Sequence, residues 1–371
     1  NMIKLGDVAT YINGYAFKPE DRGEVGLPII RIQDLTGNAY DLGFYNGDYP
    51  KRIEINDGDV LISWSASLGV YVWNRGRALL NQHIFKVQFD KVNIDKSYFV
   101  YAVRQKLAEM AMKTHGATMK HIVKKDFEET LIPYPSLKKQ IEIGTNLDKI
   151  DNIIVARKQQ LELLDELVKA RFVELFGDAI YNDKGWENDT VEKLCKEIYG
   201  GGTPSKSHPE YYEDGDIPWV SSKDMKTDVL TDSQIKINQL GVDNSTARMV
   251  PINSVIMVIR SGILKHTLPV AINAVPITVN QDLKVFIPNK RVLTRFLAIQ
   301  FKMHEKDILS GVRAVTADNI EFNSLKQREL IVPPIELQQE YVTFLEQIDK
   351  SKVSLYYKNR KGGFSAIIVY I

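Results

Sequence analysis

The sequence predicts an α+β fold in which two pseudo-repeated, mixed α/β domains alternate with two long helices. The first observation is internal similarity, because the segment Gly26–Leu35 resembles Gly215–Met225 and the pair Asn81–Gln82 recurs as Asn280–Gln281. Matched positions keep an offset of roughly 190 to 200 residues, as expected for a duplicated unit of domain size. The second is a set of short β-branched runs bounded by Gly, Asp, Asn and Pro, and the third is a heptad pattern after each repeat.

Composition and charge set the broad class. A chain of 371 residues that is 44% hydrophobic and 26% charged has the length of two domains and can bury real cores. Its formal net charge of +1 is not the basic excess typical of nucleic-acid binding, so a grip on a polyanion must come from local patches or from a partner. The first residues lack the basic and then apolar pattern of a signal peptide, and no apolar run reaches about 18 residues, which predicts a cytoplasmic protein.

The first domain is predicted over residues 1–134. Its strands are expected at the β-branched runs Pro28–Ile32, Val60–Ser63 and Ile84–Phe89. Helix formers with helical spacing of apolar residues predict a helix over 96–114. A glycine bend at Gly116 then leads to a proline-marked junction, Ile132–Pro135.

The second domain is predicted over residues 179–332 and follows the same order. Its strands are expected at Val255–Ile259 and Leu283–Ile287, and its helix over 291–309. The bend Gly311–Arg313 and the junction Val332–Ile335 repeat the end of the first domain.

The two long helices are predicted over 135–178 and 333–361. The first is a coiled-coil helix of about 40 residues, roughly 60 Å long, closed by Gly177. Its seam steps by alternating four and three through Ile143, Leu147, Ile150, Ile154, Arg157, Leu161, Leu164, Val168, Arg171 and Leu175. Arg157 and Arg171 either extend to a solvated edge or make a specifying polar contact.

The second long helix keeps the same register from Ile335 through Leu355 and is expected to pack against the first. The glycine pair Gly362–Gly363 ends it early, and an apolar, β-prone tail follows over 362–371.

Catalytic, metal and cofactor sites are not predicted in this chain. The single Cys195 has no internal disulfide partner, and the six histidines are too scattered for zinc. Asp282 and Lys284 lack the upstream acid of a metal-dependent nuclease, and Val332–Ile335 lacks the polar and aromatic residues of an adenine methyltransferase motif. The glycine run Gly200–Gly202 is either a flexible turn or a close approach to phosphate.

The order of domain, proline junction and long helix, repeated once, resembles the specificity subunits of type I restriction-modification systems over nearly the whole chain. The segments most similar to the family come directly after the junctions. They are Leu137-Lys138-Lys139-Gln140 and Ile335-Glu336-Leu337-Gln338-Gln339. The resemblance implies two target recognition domains that each read one half of a split DNA site, held apart by two antiparallel coiled-coil helices. The second helix departs from the family in being shorter than the first.

The resemblance also implies a set of partners. Two adenine-N6 methyltransferase subunits would dock on the helices and junctions, and motor-nuclease restriction subunits would join that core. S-adenosylmethionine, ATP and Mg²⁺ would then act in those partners, and the chain itself would be a recognition subunit without catalysis.

Candidate DNA-binding residues fall into phosphate contacts by Lys and Arg and base contacts by loop side chains. They are Arg31, Gln33, Ser65, Arg75, Gln82, His83, Lys113, Lys120 and Lys124 in the first domain, and Ser221, Ser222, Lys223, Arg260, Lys265, His266, Gln281 and Arg313 in the second. The basic stretches 104–125 and 291–313 bind phosphate or are ordinary solvated faces. The repeated Asn-Gln pairs favour a shared structural turn, and the tryptophans favour core positions over stacking platforms. The two domains differ most around Trp64 and Ile259, which predicts an asymmetric target.

Two other functional classes compete with this interpretation. A fused or related restriction enzyme would carry methyltransferase motifs in the same polypeptide. A coiled-coil scaffold with protein- or sugar-binding ends would have no DNA affinity, whereas a DNA reader has an affinity that falls steeply with salt.

Overall fold

The computed structural model describes residues 1–37, 41–113, 122–311, 313–314 and 318–361. The chain divides into two compact units, Asn1–Ala156 and Arg157–Ile371, and the division falls inside one long helix. Among the residues so described, no helix is both long and apolar enough to cross a membrane. The predicted tail 362–371 lies outside the described residues, and the predicted domain boundaries stay predictions.

The first unit consists of short strands and a few helices. Its strands are β1 (Met2–Lys4), β2 (Thr10–Asn13), β3 (Leu27–Ile30), β4 (Gly43–Tyr45), β5 (Glu54–Ile55), β6 (Val60–Ser63), β7 (Gly69–Val72), β8 (Ala78–Leu80), β9 (Ile84–Gln88) and β10 (Leu131–Pro133). Its helices are α1 (Leu5–Val8), α2 (Ile32–Thr36), α3 (Lys96–Lys113), α4 (Lys124–Glu128) and α5 (Leu137–Phe176), the last of which continues into the second unit. The strand predicted to reach Ile32 stops at Ile30, because Arg31 is the N-cap of α2.

The second unit has the same kinds of element. Its strands are β11 (Asn188–Thr190), β12 (Cys195–Gly200), β13 (Ile217–Val220), β14 (Val229–Leu230), β15 (Lys236–Ile237), β16 (Val255–Val258), β17 (Val270–Asn273), β18 (Thr278–Val279), β19 (Leu283–Pro288), β20 (Arg313–Ala314), β21 (Asp318–Asn319) and β22 (Glu329–Ile331). Its helices are α6 (Val191–Leu194), α7 (Gln239–Asp243), α8 (Thr294–Met303), α9 (Glu305–Ser310), α10 (Phe322–Lys326) and α11 (Ile335–Lys361). The single helix predicted over 291–309 is two helices, since the chain turns at His304.

Strand order repeats between the units. An antiparallel sheet runs β2-β9-β6-β7 in the first unit, and the second contains β12-β19-β16-β17 with β14 added at its edge. A smaller sheet holds one parallel pair in each unit, β3 with β8 and β13 with β18. The pairs β1-β10 and β11-β22 close each unit near its junction. The predicted α+β fold with two pseudo-repeated units is therefore confirmed.

Both cores form between the larger sheet and the helices beside it. In the first unit Tyr11, Phe85, Phe99 and Phe127 are fully buried. In the second unit α8 buries Phe296, Leu297 and Phe301 with the strands of the sheet, as helical spacing requires.

The heptad seam of α5 is confirmed by side-chain exposure. Every seam position from Ile143 to Leu175 is half-buried, whereas the apolar Ile153, Leu163 and Val173 lie off the seam and are exposed. Gly177, with φ +75°, ends the helix in the left-handed region that glycine adopts without strain.

Within the second unit, α5 packs against α11. The Tyr341 hydroxyl donates to the Val168 carbonyl oxygen at 2.9 Å, and Lys352 pairs with Asp165. Partners on α11 move toward its C-terminus as those on α5 move toward its N-terminus, so the predicted antiparallel pairing is confirmed. Arg171 makes the polar contact that the sequence left open, 2.6 Å from its Nη2 to Oε1 of Glu340.

Candidate nucleic-acid interface

In the first unit, strand topology gathers the predicted base-reading residues at one edge. Because β3 and β8 are parallel, the segments that follow them, Arg31–Gln33 and Asn81–His83, leave the sheet on the same side. The Asn81 amide donates to the Ile30 carbonyl at 3.0 Å, and the Trp64 amide, just after β6, donates to the His83 carbonyl at 3.2 Å. Ser65 therefore joins them. We call the loops after β3, β6 and β8 the strand-end edge of this unit.

The second unit builds its strand-end edge from the loops after β13, β16 and β18. The Asn280 amide donates to the Val220 carbonyl at 2.9 Å, and the Ile259 amide donates to the Asp282 carbonyl at 2.9 Å. These bonds repeat those of the first unit. Ser221–Lys223, Arg260 and Gln281 consequently occupy the places of Arg31–Gln33, Ser65 and Gln82.

Glycine marks the point where a further segment crosses each edge. A Cβ on Gly14 would lie 1.9 Å from the Asn81 carbonyl oxygen, and one on Gly201 would lie 1.8 Å from that of Val279. Neither position tolerates a side chain, because two backbones meet there. Close backbone packing thus explains why Gly201 is a glycine.

The edge of the first unit presents polar and aromatic groups. Gln33 and Gln82 are exposed, and Ser65 is half-exposed. His83 has φ +72°, and its buried Nδ1 has no hydrogen-bond partner in the described part of the chain. Tyr15 is 45% exposed beside Gln82, whose amide donates to the Tyr15 carbonyl at 2.9 Å. Sequence reasoning missed Tyr15, because only the bridge to Asn81 brings it to this edge.

The edge of the second unit is more strongly charged. Nη2 of Arg260 lies 2.6 Å from Oδ1 of Asp282, which replaces the Ser65 and His83 of the first unit with an ion pair. Lys223, Lys265 and His266 are exposed. Two other edge side chains have partners within the unit: the Ser221 hydroxyl donates to Asp224 at 2.8 Å, and Gln281, although exposed, accepts a hydrogen bond from Thr203. Ser222 is half-buried beside Ser221.

Three predicted cations of the first unit make contacts within the protein, although Arg75 and Lys124 remain exposed. Nε of Arg31 lies 3.1 Å from Oδ2 of Asp34, and its side chain is only 15% exposed. Arg75 donates to the Asp34 carbonyl at 2.8 Å and lies over the Trp73 ring. Lys124 donates to the Tyr11 carbonyl at 2.9 Å and pairs with Glu128 at 3.6 Å. These contacts support the strand-end edge. Because the three cations already have partners in the protein, less positive charge is available to bind phosphate than the sequence predicts.

The basic helices are paired with acidic neighbours as well. Arg104 lies 2.9 Å from Asp151 of α5, and Arg295 pairs with Asp349 of α11. Part of each basic face therefore contacts a long helix, which is neither of the two alternatives drawn from the sequence, phosphate binding or a solvated face. Lys120 and the side chains of Lys113 and Arg313 lie outside the described residues.

The predictions for Trp73, Trp219 and the repeated asparagines have clear outcomes. Trp73 and Trp219 are buried, as predicted for core residues. Asn81 and Asn280 are turn residues, since the Asn81 side chain accepts from the Gln82 amide at 2.9 Å and Asn280 donates to Asp282 at 3.0 Å. Burial raises the pKa of the Cys195 thiol to about 12. Across the described ranges, no three His, Cys, Asp or Glu side chains are grouped as metal ligands.

The chain is similar in sequence to a known protein family and to several of its members. The family described as the type I restriction modification DNA specificity domain matches twice, over residues 1–164 and 183–360. The chain is 32% identical over 222 residues to the EcoR124I/EcoR124II specificity subunit of Escherichia coli, covering 58% of this chain and 53% of that protein. It is 22% identical over 384 residues to the EcoBI specificity subunit of Escherichia coli, covering 93% of this chain and 78% of that protein. This chain thus spans about half the length of the first relative.

Solved structures agree on the fold. The S subunit of a type I restriction-modification system from M. genitalium superposes with a TM-score of 0.60 at 13% identity, over 99% of this chain and 93% of that one. A structure from work on complex assembly and conformational transition of the type I R-M system gives 0.53 at 16% identity, over 98% and 93%. At these identities the likeness concerns the fold alone. Because the family match takes in both halves, this chain belongs to the family of type I restriction-modification DNA specificity domains.

Proposed function

We propose that each unit of this chain reads one half of a split, asymmetric DNA site with its strand-end edge. One observation carries the proposal: a single backbone frame displays two different sets of side chains. Ser65 and His83 stand where the second unit has Arg260 and Asp282. A shared frame supplies a constant docking geometry, and different hydrogen-bonding groups select different bases.

The exposed glutamines are the proposed adenine contacts. Gln82 and Gln281 hold matching places at the two edges and are both exposed. A glutamine amide can bind the N6 and N7 atoms of adenine with two hydrogen bonds in the major groove. Arg260 would add a contact in the second half-site alone.

The long helices are the proposed docking surface for two adenine-N6 methyltransferase subunits, which motor-nuclease subunits join. Leu163 is 61% exposed and Leu167 is 46% exposed beside the seam of α5. With Leu164 and Leu355 they line an open groove of about 650 Å³ between α5 and α11. Contiguous exposed leucines of this kind are typical of a protein-binding surface.

Chemistry belongs to the partners in this proposal. The chain is a non-catalytic recognition subunit, and S-adenosylmethionine, ATP and Mg²⁺ act in the methyltransferase and motor subunits. The assembly works on chromosomal DNA in the cytoplasm.

The test is co-expression with the neighbouring methyltransferase gene, followed by sequencing of modified adenines in the host DNA. We expect a split, asymmetric methylated motif that disappears when this chain is deleted. A stable complex without methylation would locate the defect in the shorter α11. Absence of both a complex and salt-dependent DNA affinity would contradict the proposal and leave the scaffold interpretation.

A further inference from the structure

A recess of about 350 Å³ opens beside the strand-end edge of the second unit. Its wall includes two edge residues, Arg260 and Gln281, so a duplex seated on the edge would cover it. The remaining wall comes from Ile259, from β19 and from the segment 319–322, which leads from β21 into α10. Its polar and aromatic lining there is Lys284, Glu321 and Phe322.

The two cations of this recess, Arg260 and Lys284, differ in how they are paired within the described residues. Arg260 is paired with Asp282 at 2.6 Å. The Glu321 carboxylate caps α10, accepting hydrogen bonds from the Asn323 amide at 3.0 Å and from the Ser324 amide. Among the described residues no carboxylate lies within 4.0 Å of Nζ of Lys284. Within the part of the chain that the structure describes, Lys284 therefore has no anionic partner.

The surroundings of Lys284 hold its ammonium group without neutralising it. Nζ lies 4.5 Å from the centre of the Phe322 ring, a cation–π contact. On the opposite strand, a Cβ at Gly200 would lie 2.7 Å from Nζ, so glycine leaves the room that the ammonium group occupies. Partial burial lowers the pKa of Lys284, which means that the charged form is short of solvation here.

The first unit contains the same pair with its partners exchanged. Phe85 pairs with Asn13 at the position where Lys284 pairs with Gly200, and Lys124 begins α4 where Phe322 begins α10. Nζ of Lys124 lies 5.9 Å from the centre of the Phe85 ring. The Tyr11 carbonyl and Glu128 satisfy Lys124, however, whereas no described residue offers Lys284 a comparable oxygen partner.

We infer that Lys284 of the second unit binds a DNA phosphate. Its counterpart in the first unit, Lys124, does not. The inference rests on the proposed function, because the duplex on the strand-end edge supplies the phosphate. A phosphate oxygen entering the recess would meet the ammonium group and replace the solvation lost by burial. A single point charge suits phosphate, whereas base recognition calls for paired donors and acceptors.

The test compares Lys284→Met, Lys284→Arg and the control Lys290→Met in the full chain. Methionine keeps an unbranched apolar chain against Phe322 but removes the charge, and arginine keeps the charge. Lys290 is exposed just after β19, at the end of that strand away from Gln281. The probe is a short fluorescent duplex of random sequence, titrated across a range of salt concentrations, with thermal unfolding to confirm that each variant is folded.

We expect Lys284→Met to lower the slope of log affinity against log salt by about 0.9 and to weaken binding about eightfold near 0.1 M salt. Lys284→Arg and Lys290→Met should keep the wild-type slope. A Lys284→Met variant with the wild-type slope, or one weakened equally at every salt concentration, would overturn the inference while wild-type binding still supports the proposed function. Wild-type protein without salt-dependent affinity would instead remove the proposed function, and this inference with it.

Discussion

At the scale of single residues, one buried glutamine fastens each long helix to its domain. Oε1 of Gln140 accepts a hydrogen bond from the Asp95 amide at 3.0 Å, and Nε2 donates to the Pro135 carbonyl at 2.8 Å. Gln338 repeats the arrangement with the Leu293 amide at 3.0 Å and the Pro333 carbonyl at 2.8 Å. The most family-like stretch of the sequence therefore contains a structural clamp. One glutamine side chain satisfies two backbone groups in the first unit and three in the second.

Gln338→Ala should lower the free energy of unfolding by about 1–3 kcal/mol, because buried backbone groups lose their partners. The adjacent Gln339 is exposed and provides the matched control, Gln339→Ala, which should change it by less than about 0.5 kcal/mol. Urea unfolding followed by far-UV circular dichroism measures both. Equal effects from the two substitutions would show that the clamp does not contribute to stability.

A second residue-scale feature is the buried His304 between α8 and α9. It is 2% exposed, and neither ring nitrogen has a hydrogen-bond partner among the described residues. Burial, together with the positive charge of Arg328, lowers the pKa of His304 to about 4. The folded protein thus holds this imidazole neutral at pH values where the unfolded chain protonates it.

Stability should fall on acidification because of this residue. The folded-state pKa lies below the ordinary value of 6.5, so the contribution is complete above pH 6.5 and is lost as pH falls toward 4. The expected slope is at most about 1.4 kcal/mol per pH unit. In His304→Leu that part of the slope should disappear, which denaturant unfolding at several pH values would reveal. Parallel curves for wild type and variant would rule out His304 as the source.

At the scale of elements, an aromatic cluster joins the end of α5 to α8 and α11. Phe172 stacks on Phe296 with ring centres 5.9 Å apart, and Phe176 meets Tyr341 edge-on at 5.5 Å. All four side chains are essentially inaccessible to solvent. The cluster explains how a helix with a half-exposed seam is held firmly at one end.

Tyr341→Ala should destabilise the second unit by about 3–5 kcal/mol, because it leaves a large cavity inside this cluster. Tyr341→Phe keeps the ring and loses only the hydrogen bond to Val168, so its cost should be about 1 kcal/mol. Differential scanning calorimetry can compare the two. Equal losses would mean that the hydroxyl, and not ring packing, holds the helices together.

At the scale of the whole molecule, duplication followed by divergence is the organising fact. The two units share strand order, the bonds that shape the strand-end edge, the glycine crossing and the glutamine clamp. They differ where the first unit has Ser65 and His83 and the second unit has Arg260 and Asp282. Selection for different half-sites would change these edge groups while the backbone frame stays constant.

Gln82→Ala and Gln281→Ala should therefore relax different halves of the recognised sequence. Each loses about 1–3 kcal/mol of discrimination at one base position and leaves the other half-site unchanged. Gln105→Ala, on α3 and away from the edge, is the control and should change neither. Sequencing of duplexes selected from a random pool measures the outcome. Relaxation of both half-sites by one substitution would contradict independent reading by the two units.

Much of the architecture followed from the sequence because its signals are local or repetitive. The strand Val60–Ser63 and both long helices were predicted closely, since turn residues, heptad spacing and Gly177 mark their limits. The break at His304 was not predicted, because helical spacing of apolar residues continues across it. The partners of charged residues were harder still to predict from the sequence, because Arg31 and Arg104 carry the same charge whether they contact DNA or an acidic neighbour.

The sequence by itself determined the duplication, the α+β class, the pairing of domains with long helices and the family. Each of these depends on patterns along the chain. Only the tertiary structure decided which cations are neutralised and which are available, because ion pairs such as Arg260 with Asp282 join residues brought together by strand pairing. It alone placed Tyr15 at the edge and left Lys284 without an acidic partner among the described residues, since those properties depend on the space and charge around a side chain.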